Sequence, residues 1–185
     1  MHHKQDNRAV FEKAPFSELF TRMELPAKTT LLSEGEISKN VWFIEKGCIR
    51  AWFNNNGNDL TFQFFFENES ISSIESYRTG QPSVFSIETL EPCIVHVIRK
   101  PDMERLLLES PEIKSALEDS IFQRLLFYQK LFLSRIRDNP RERYLDLLKN
   151  QPEIIRRIPQ HYIASYLGIT AVSLSRIRNK VKGLS

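Results

Sequence analysis

Cysteine is nearly absent from the chain: there are two in 185 residues, Cys48 and Cys93, far apart and outside any Cys-x-x-Cys spacing. No histidine cluster lies near either in sequence. A disulfide framework is therefore not expected, nor is a zinc or iron–sulfur site. Long apolar runs are missing too, since none approaches the ~18 residues of a membrane span. The opening Met1-His2-His3-Lys4 lacks the pattern of a secretory signal. The expectation is a cytoplasmic protein with no membrane partner. The residue groupings of catalysis are also lacking. No paired carboxylates, nucleophile–base spacing, phosphate loop or metal cluster stands out, and Asp and Glu scatter over loops and helix starts. No enzymatic activity, cofactor or metal is expected. His96 sits in an alternating, strand-like run and His161 opens a short helix, so both read as structural or solvent-facing.

What the chain does carry is concentrated in residues 158–185. Two short amphipathic stretches meet there at Leu167-Gly168-Ile169. The second opens on Thr170, a good N-cap, and bears Arg176, Arg178, Lys180 and Lys182. Ile163, Leu167 and Ile169 are predicted to face Leu174, Ile177 and Val181, whose three-and-four spacing sets them on one side of a helix. Ala164 permits close approach, and Gly168 gives a tight turn its backbone freedom. This is the sequence form of a helix-turn-helix, which lays its second helix in the DNA major groove. The bland alternative is an ordinary helical hairpin. Charge follows the same division. Residues 138–185 hold 9 Lys/Arg against 4 Asp/Glu, a net of +5, while residues 1–137 hold 17 against 19, a net of −2. Positive charge thus lies where phosphate neutralisation needs it, although a solvated basic surface has the same composition.

Upstream, a short helix is predicted over Ser17–Met23. Residues 25–100 then carry β-branched and aromatic runs: Lys28–Leu32, Val41–Glu45, Cys48–Phe53, Thr61–Phe66, Ser83–Leu90 and Ile94–Arg99. Many short strands at near-regular spacing point to a β-sandwich or barrel, with hairpin signals at Lys46-Gly47 and Asn56-Gly57. From residue 101 the period becomes helical. Pro101–Glu109 reads as a short helix, and Ser110-Pro111-Glu112 is a strong start for a second running to about Arg137. Leu117, Ile121, Leu125, Tyr128 and Phe132 form one apolar stripe on it, which Phe122, Leu126, Leu133 and Ile136 broaden. One stripe suffices to dock on a β-roll. Two call for two surfaces, the second being the same helix of another subunit or further packing within one chain. Asn139 is predicted to cap a helix Pro140–Asn150, with Glu142 in the capping-box position. Gln151–Arg157 reads as a link.

In this order the elements resemble the Crp/Fnr transcription regulators over nearly the whole chain. The resemblance rests on Val41-Trp42-Phe43-Ile44-Glu45-Lys46-Gly47 followed by Ile49-Arg50. More specifically, it rests on Ile163-Ala164, Leu167-Gly168-Ile169-Thr170 and Leu174-Ser175-Arg176-Ile177. It implies an α+β fold: an antiparallel β-roll of double-stranded β-helix or jelly-roll type over residues 1–110, a long central dimerisation helix over 111–137, and a helix-turn-helix domain over 138–185. It also implies a homodimer through the Leu117, Ile121, Leu125, Tyr128 and Phe132 stripe, a small-molecule effector in the roll, and double-stranded DNA bearing a palindromic operator as partner. Arg176 matches a base-reading position. Gln160, Thr170 and Ser173 match positions that hold phosphates, and Lys180 is expected to join them; Val172, Ser175 and Asn179 share the outward face with Arg176.

The chain departs from that pattern in three places. Relatives that bind cyclic nucleotides carry Gly-Glu and then Arg-Ser or Arg-Thr in the phosphate-binding segment. This chain has Ser72-Ser73 and Ser83-Val84 there, with Glu67 and Glu69 nearby and Arg78 offset from the arginine position. Without that guanidinium an anionic phosphate is poorly served, so cyclic nucleotide binding of the usual kind is not expected. A pocket for another effector is expected near Phe62, Phe64, Ser72, Ser73, Ser83, Val84 and Tyr128, unless the phenylalanines fill it. Ala171-Val172 replaces an Arg-Glu pair at the start of the second helix. Most of the two-stranded wing that usually follows is expected to be missing. These departures leave a rival reading open, a small-molecule or partner-binding module whose helix-turn-helix no longer reads DNA.

Overall fold

The computed structural model describes residues 16–182. Residues 1–15 and 183–185, and with them the expectation about a wing beyond the last helix, lie outside the described residues. Eight strands fold into two antiparallel four-stranded sheets. The first has the order β1 (Thr21–Leu25), β8 (Cys93–Arg99), β3 (Asn40–Lys46), β6 (Ser70–Ile71); the second has β2 (Thr30–Leu32), β7 (Ser86–Thr89), β4 (Ile49–Asn55), β5 (Asn58–Phe65). Leu32, Trp42, Ile44, Ile49, Ala51, Phe65, Ile71, Ile87 and Val95 fill the space between them. The strand spacing predicted a sandwich or barrel, and the two sheets form the antiparallel roll that the resemblance implied.

Both hairpin signals form turns. Asn56 and Gly57 take φ of 53° and 86°, the paired positive values of a type I′ turn between β4 and β5. Gly47, at φ 106°, turns β3 into β4 where a Cβ would stand 2.5 Å from Cys93 Sγ and 2.9 Å from the Pro92 carbonyl oxygen. Only glycine fits that close approach. Cys48 and Cys93 are buried free thiols, and burial pushes both up, Cys93 to about 11.

The run Val41–Ile44 is apolar throughout because β3 is covered on both faces. Trp42 and Ile44 face the interior of the roll; Phe43, with Ile98, faces Met103, Leu106 and Ile113 of the helices outside. Those helices are α2 (Lys100–Glu109) and α3 (Pro111–Arg137), and Ser110 caps α3 by accepting from the Ile113 amide. At 27 residues α3 is about 40 Å long. Then come α4 (Pro140–Asn150), α5 (Pro152–Arg157), α6 (Gln160–Leu167) and α7 (Ala171–Lys182). The Asn139 capping box is complete: its Oδ1 accepts from the amides of Arg141 and Glu142, while Glu142 Oε2 accepts from the Asn139 amide at 2.8 Å.

Two local readings are corrected. Ser17–Met23 is not a helix but a 3-10 turn, Phe16–Leu19, running into β1. Among the described residues β1 pairs only with β8, and it is exposed along most of its length, so it lacks the alternation that marks a half-buried strand. Arg22 lies on that edge and bonds Glu24 and Glu45. The 151–157 link is the helix α5, which starts on Pro152-Glu153 and buries Ile154. A further short helix, α1 (Ile74–Thr79), follows β6 and ends on Gly80 at φ 74°.

Candidate nucleic-acid interface

The α6–α7 pair is built around the predicted seam. Ile163, Ala164, Leu167 and Leu174 are buried, with Ile169, Ile177 and Val181 packed against them. Gly168 takes φ 68°, and the Ile169 amide reaches back to the Ala164 carbonyl at 3.0 Å, closing α6. Thr170 Oγ1 then accepts from the Ser173 amide and opens α7. With Leu174 turned inward, Val172, Ser175, Arg176, Asn179 and Lys180 all lie exposed. Gln160 and Thr170 are exposed at the two helix starts, and Ser173 is held half-buried by its bond to Thr170. Among the described residues none of Arg176, Arg178 and Lys180 takes part in an ion pair.

The other side of this pair is docked on the roll. Ser165 Oγ donates to the Asp59 carbonyl and accepts from the Thr61 amide at 2.8 Å, so α6 lies along β5. The Phe64 and Tyr166 rings meet at 5.2 Å. Arg50 of β4 is 2% exposed, bonded to Glu88, Asp59 and Thr61 and stacked between the rings of Trp52 and Tyr162 at 4.6 and 4.3 Å. Lys28 bonds the Tyr162 hydroxyl. Arg157 grips Glu67 through two bonds of 2.8 and 2.7 Å and also bonds Glu91. Sequence reasoning missed this docking set. Its one available signal was a charged residue, Arg50, inside the apolar strand Ile49–Phe53.

Glu67 also accepts from the Gly47 amide at 2.9 Å. Burial works to raise its pKa, but the Arg157 bonds and the backbone amides outweigh that and lower it to about 2. A depressed folded value contributes stability above the unfolded carboxylate pKa, and that contribution fades as pH falls from about 4.5 towards 2. Thermal melts at pH 7 and pH 3 are expected to show a larger acid-induced drop for the unmodified chain than for Glu67→Gln. Equal drops would remove Glu67 from the acid response.

In the expected effector region, Ser73 and Ser83 are buried with their hydroxyls 2.9 Å apart. Ser72 Oγ donates to the Asn40 carbonyl and lies 3.1 Å from Ser38 Oγ; Ser76 Oγ accepts from the Ser38 amide. Ser73 and Ser83 are thus paired with each other, while Ser72 is engaged separately by Ser38 and backbone. Arg78 is exposed at the end of α1, and Val84 is exposed as well. Phe62 and Phe64 do not share a wall. β5 slips register between Gln63, opposite Ala51, and Thr61, opposite Trp52, leaving Phe62 as the extra residue of a β-bulge. Phe62 consequently packs on Phe85 and the roll interior, while Phe64 faces outward to Tyr166. Tyr128 of α3 bonds the Gln63 side chain. An apolar cavity of about 100 Å³ lies between Ile71, Ser72 and Ile74 on one side and Met103, Leu107, Leu117 and Ile121 on the other, so Ser72 of the expected pocket residues lines a space against the long helix.

On α3, Leu117 packs on the Phe43 cluster of its own chain, and Tyr128 is half taken up through Gln63. Phe122, Leu125, Phe132, Leu133 and Ile136 are exposed, Phe132 by 65% and Ile136 by 70%, and Ile121 less so. Among the described residues no helix is long and apolar enough to cross a membrane.

Residues 22–110 match the cyclic nucleotide-binding domain family. No curated protein sequence matches the chain. Among solved structures, the fold is similar to that of a CooA mutant from Carboxydothermus hydrogenoformans, with a TM-score of 0.78 at 13% identity over 97% of this chain and 85% of that one. FixK2 from Bradyrhizobium japonicum matches with a TM-score of 0.75 at 16% identity, covering 89% of this chain and 85% of that one. CLP from Xanthomonas campestris, described as a c-di-GMP-responsive global regulator linked to virulence gene expression, matches with a TM-score of 0.73 at 16% identity, covering 92% of both chains.

Proposed function

We propose that this protein is a homodimeric, DNA-binding transcription regulator of the Crp/Fnr kind, reading a palindromic operator with α7. The observation that carries this reading is the two-sided character of α7. Leu174 is buried against α6, while Arg176, Ser175, Asn179 and Lys180 stand outward, and among the described residues neither Arg176 nor Lys180 forms an ion pair. A guanidinium held there without an ion pair is free for guanine O6 and N7, and the exposed Val172 suits a thymine methyl. Gln160, Thr170, Ser173 and Lys180 border that face and are assigned to backbone phosphates. The likeness in fold to CLP, described as a global regulator, supports the same class.

In this reading the roll is a sensor that does not take a cyclic nucleotide in the usual way. At the position where a phosphate needs a cation, Ser73 and Ser83 bond to each other, and Ser72 bonds to Ser38 and the Asn40 carbonyl. The dimer forms through the exposed face of α3.

Selection of bound duplexes from a random DNA library, followed by fluorescence anisotropy across a salt series, tests the reading. The unmodified protein should show sequence-dependent binding that weakens with salt and is unchanged by added cAMP. Arg176→Ala should weaken it by about 1–3 kcal/mol per half-site and relax preference at one base pair in each. Binding that is absent, or indifferent to sequence, would end the regulator reading in favour of a ligand- or partner-binding module.

A further inference from the structure

A large cleft lies between the second half of α3 and the helices α4 and α6. It has a volume of about 550 Å³, within the range of small-molecule sites. Five cationic and two acidic side chains line it. At its centre are two neighbouring guanidiniums, Arg135 and Arg143. Arg143 donates to the Asp138 and Leu167 carbonyls at 2.7 and 2.9 Å, and Arg135 donates to the Tyr166 carbonyl. An arginine has five N–H groups, so these three bonds leave most of the ten unused. One unused group, Arg143 Nε, is fully buried and has no hydrogen-bond partner.

No carboxylate among the described residues forms an ion pair with either arginine. Asp138 is held by Arg137 at 2.6 Å, and Asp146 by the Asn150 amide at 2.7 Å. Burial, and after it the charge of Arg143, lowers the Arg135 pKa, as two crowded like charges require. Lys130 and Lys149 stand exposed on the rims. Capping the C-terminal end of α6 explains one or two donors, because that end carries partial negative charge. It does not explain a second guanidinium beside the first, a buried N–H aimed at nothing, or a cleft this large. The remaining wall is mixed: Gln123, Ser134, Asn150 and Gln151 are polar, while Leu126, Leu131 and Leu147 are apolar and Phe127 adds a half-buried ring.

We propose that this cleft binds a phosphate-bearing small molecule of about nucleotide size, its phosphate on Arg135 and Arg143 and its ring system against Phe127. Such a ligand neutralises the paired charge through fork-like bonds to the terminal guanidinium nitrogens. It also spans the Asp138-Asn139-Pro140 joint, tying α3 to α4 and α6. The site does not depend on α7 reading DNA, and it is separate from the serine-filled segment of the roll.

Isothermal titration of the full chain with inorganic phosphate and with a panel of nucleoside mono- and diphosphates tests the proposal. At least one nucleotide should bind at least tenfold more tightly than inorganic phosphate. Arg143→Gln should weaken it tenfold or more. Because that change also removes a cap from α6, Lys130→Ala and Lys149→Ala serve as the second arm: each should weaken binding several-fold at an unchanged melting temperature. Arg176→Ala should leave binding intact, which separates a free phosphate ligand from phosphates recognised by the α7 face. Absence of binding across the panel at millimolar concentration, binding indifferent to Arg143, or equal loss on Arg176→Ala would each overturn the site.

Discussion

Arg50→Ala is expected to destabilise the folded chain by about 3–5 kcal/mol, the usual cost of removing one partner of a buried ion pair. For a chain of this size that corresponds to a fall of roughly 6–20 °C in melting temperature. The cost arises mainly on Glu88, which is 13% exposed and bonded to Arg50 at 3.1 Å. Asp59 is 45% exposed and can turn to water. Lys28, at 3.5 Å from Glu88, recovers part of the loss and keeps the estimate from rising further. The stacked rings of Trp52 and Tyr162 lose their cation as well, at about 1 kcal/mol each. Differential scanning calorimetry of Arg50→Ala, and of Arg50→Met with Glu88→Leu, checks the account. The double substitution replaces the pair with apolar groups of similar bulk and should restore most of the stability. If it is as unstable as Arg50→Ala, the orphaned carboxylate is not the cause.

Leu125→Asp and Phe132→Asp should each convert the proposed dimer to monomer at micromolar concentration in analytical ultracentrifugation. Phe122, Leu125, Phe132 and Ile136 follow one another at intervals of three, seven and four, a coiled-coil seam in which Gln129 takes the remaining slot. In a two-fold symmetric contact every substitution counts twice. Removing one apolar side chain of about 1.5–3 kcal/mol from each copy costs about 3–6 kcal/mol, or roughly 10² to 10⁴ in the dissociation constant. Leu117→Asp gives a contrasting result: that side chain packs against its own Phe43 cluster, so the loss should appear in folding stability. A protein that is monomeric before any substitution would remove the dimer from the proposed function.

The elements that could be read from sequence are those whose signals are local. Ser110-Pro111, Asn139-Pro140 with Glu142, Gly168 and Thr170 each fix a helix end through bonds to residues within four positions, and α3 and α4 start and stop where those residues indicate. Asn56-Gly57 works in the same way. Tertiary relations did not show themselves. The alternation Phe62, Gln63, Phe64 reads as one face for both phenylalanines, yet the bulge across from Ala51 and Trp52 sends them to opposite faces. β1 has no apolar period because it is an edge. Arg50 meets Tyr162, and Glu67 meets Arg157, over sequence separations no local pattern spans, and these two contacts bind the C-terminal helices to the roll. Nor does any sequence spacing join Arg135 to Arg143 through the end of α6.

One apolar cluster runs from Cys48, Phe64 and Phe66 of the roll into Tyr162, Ile163, Leu167 and Leu174 of the last two helices, with no layer of solvent between. A segment opens on its own only if it can leave without stripping cover from its neighbours. Swinging α6 and α7 away would bare two aromatic rings and a thiol on the roll in the same movement. The two ends of the chain therefore share one cooperative melting unit. Thermal fluctuation alone rarely frees the last helices, and a signal that repositions them must supply the free energy of uncovering that surface or shift the whole body as one piece.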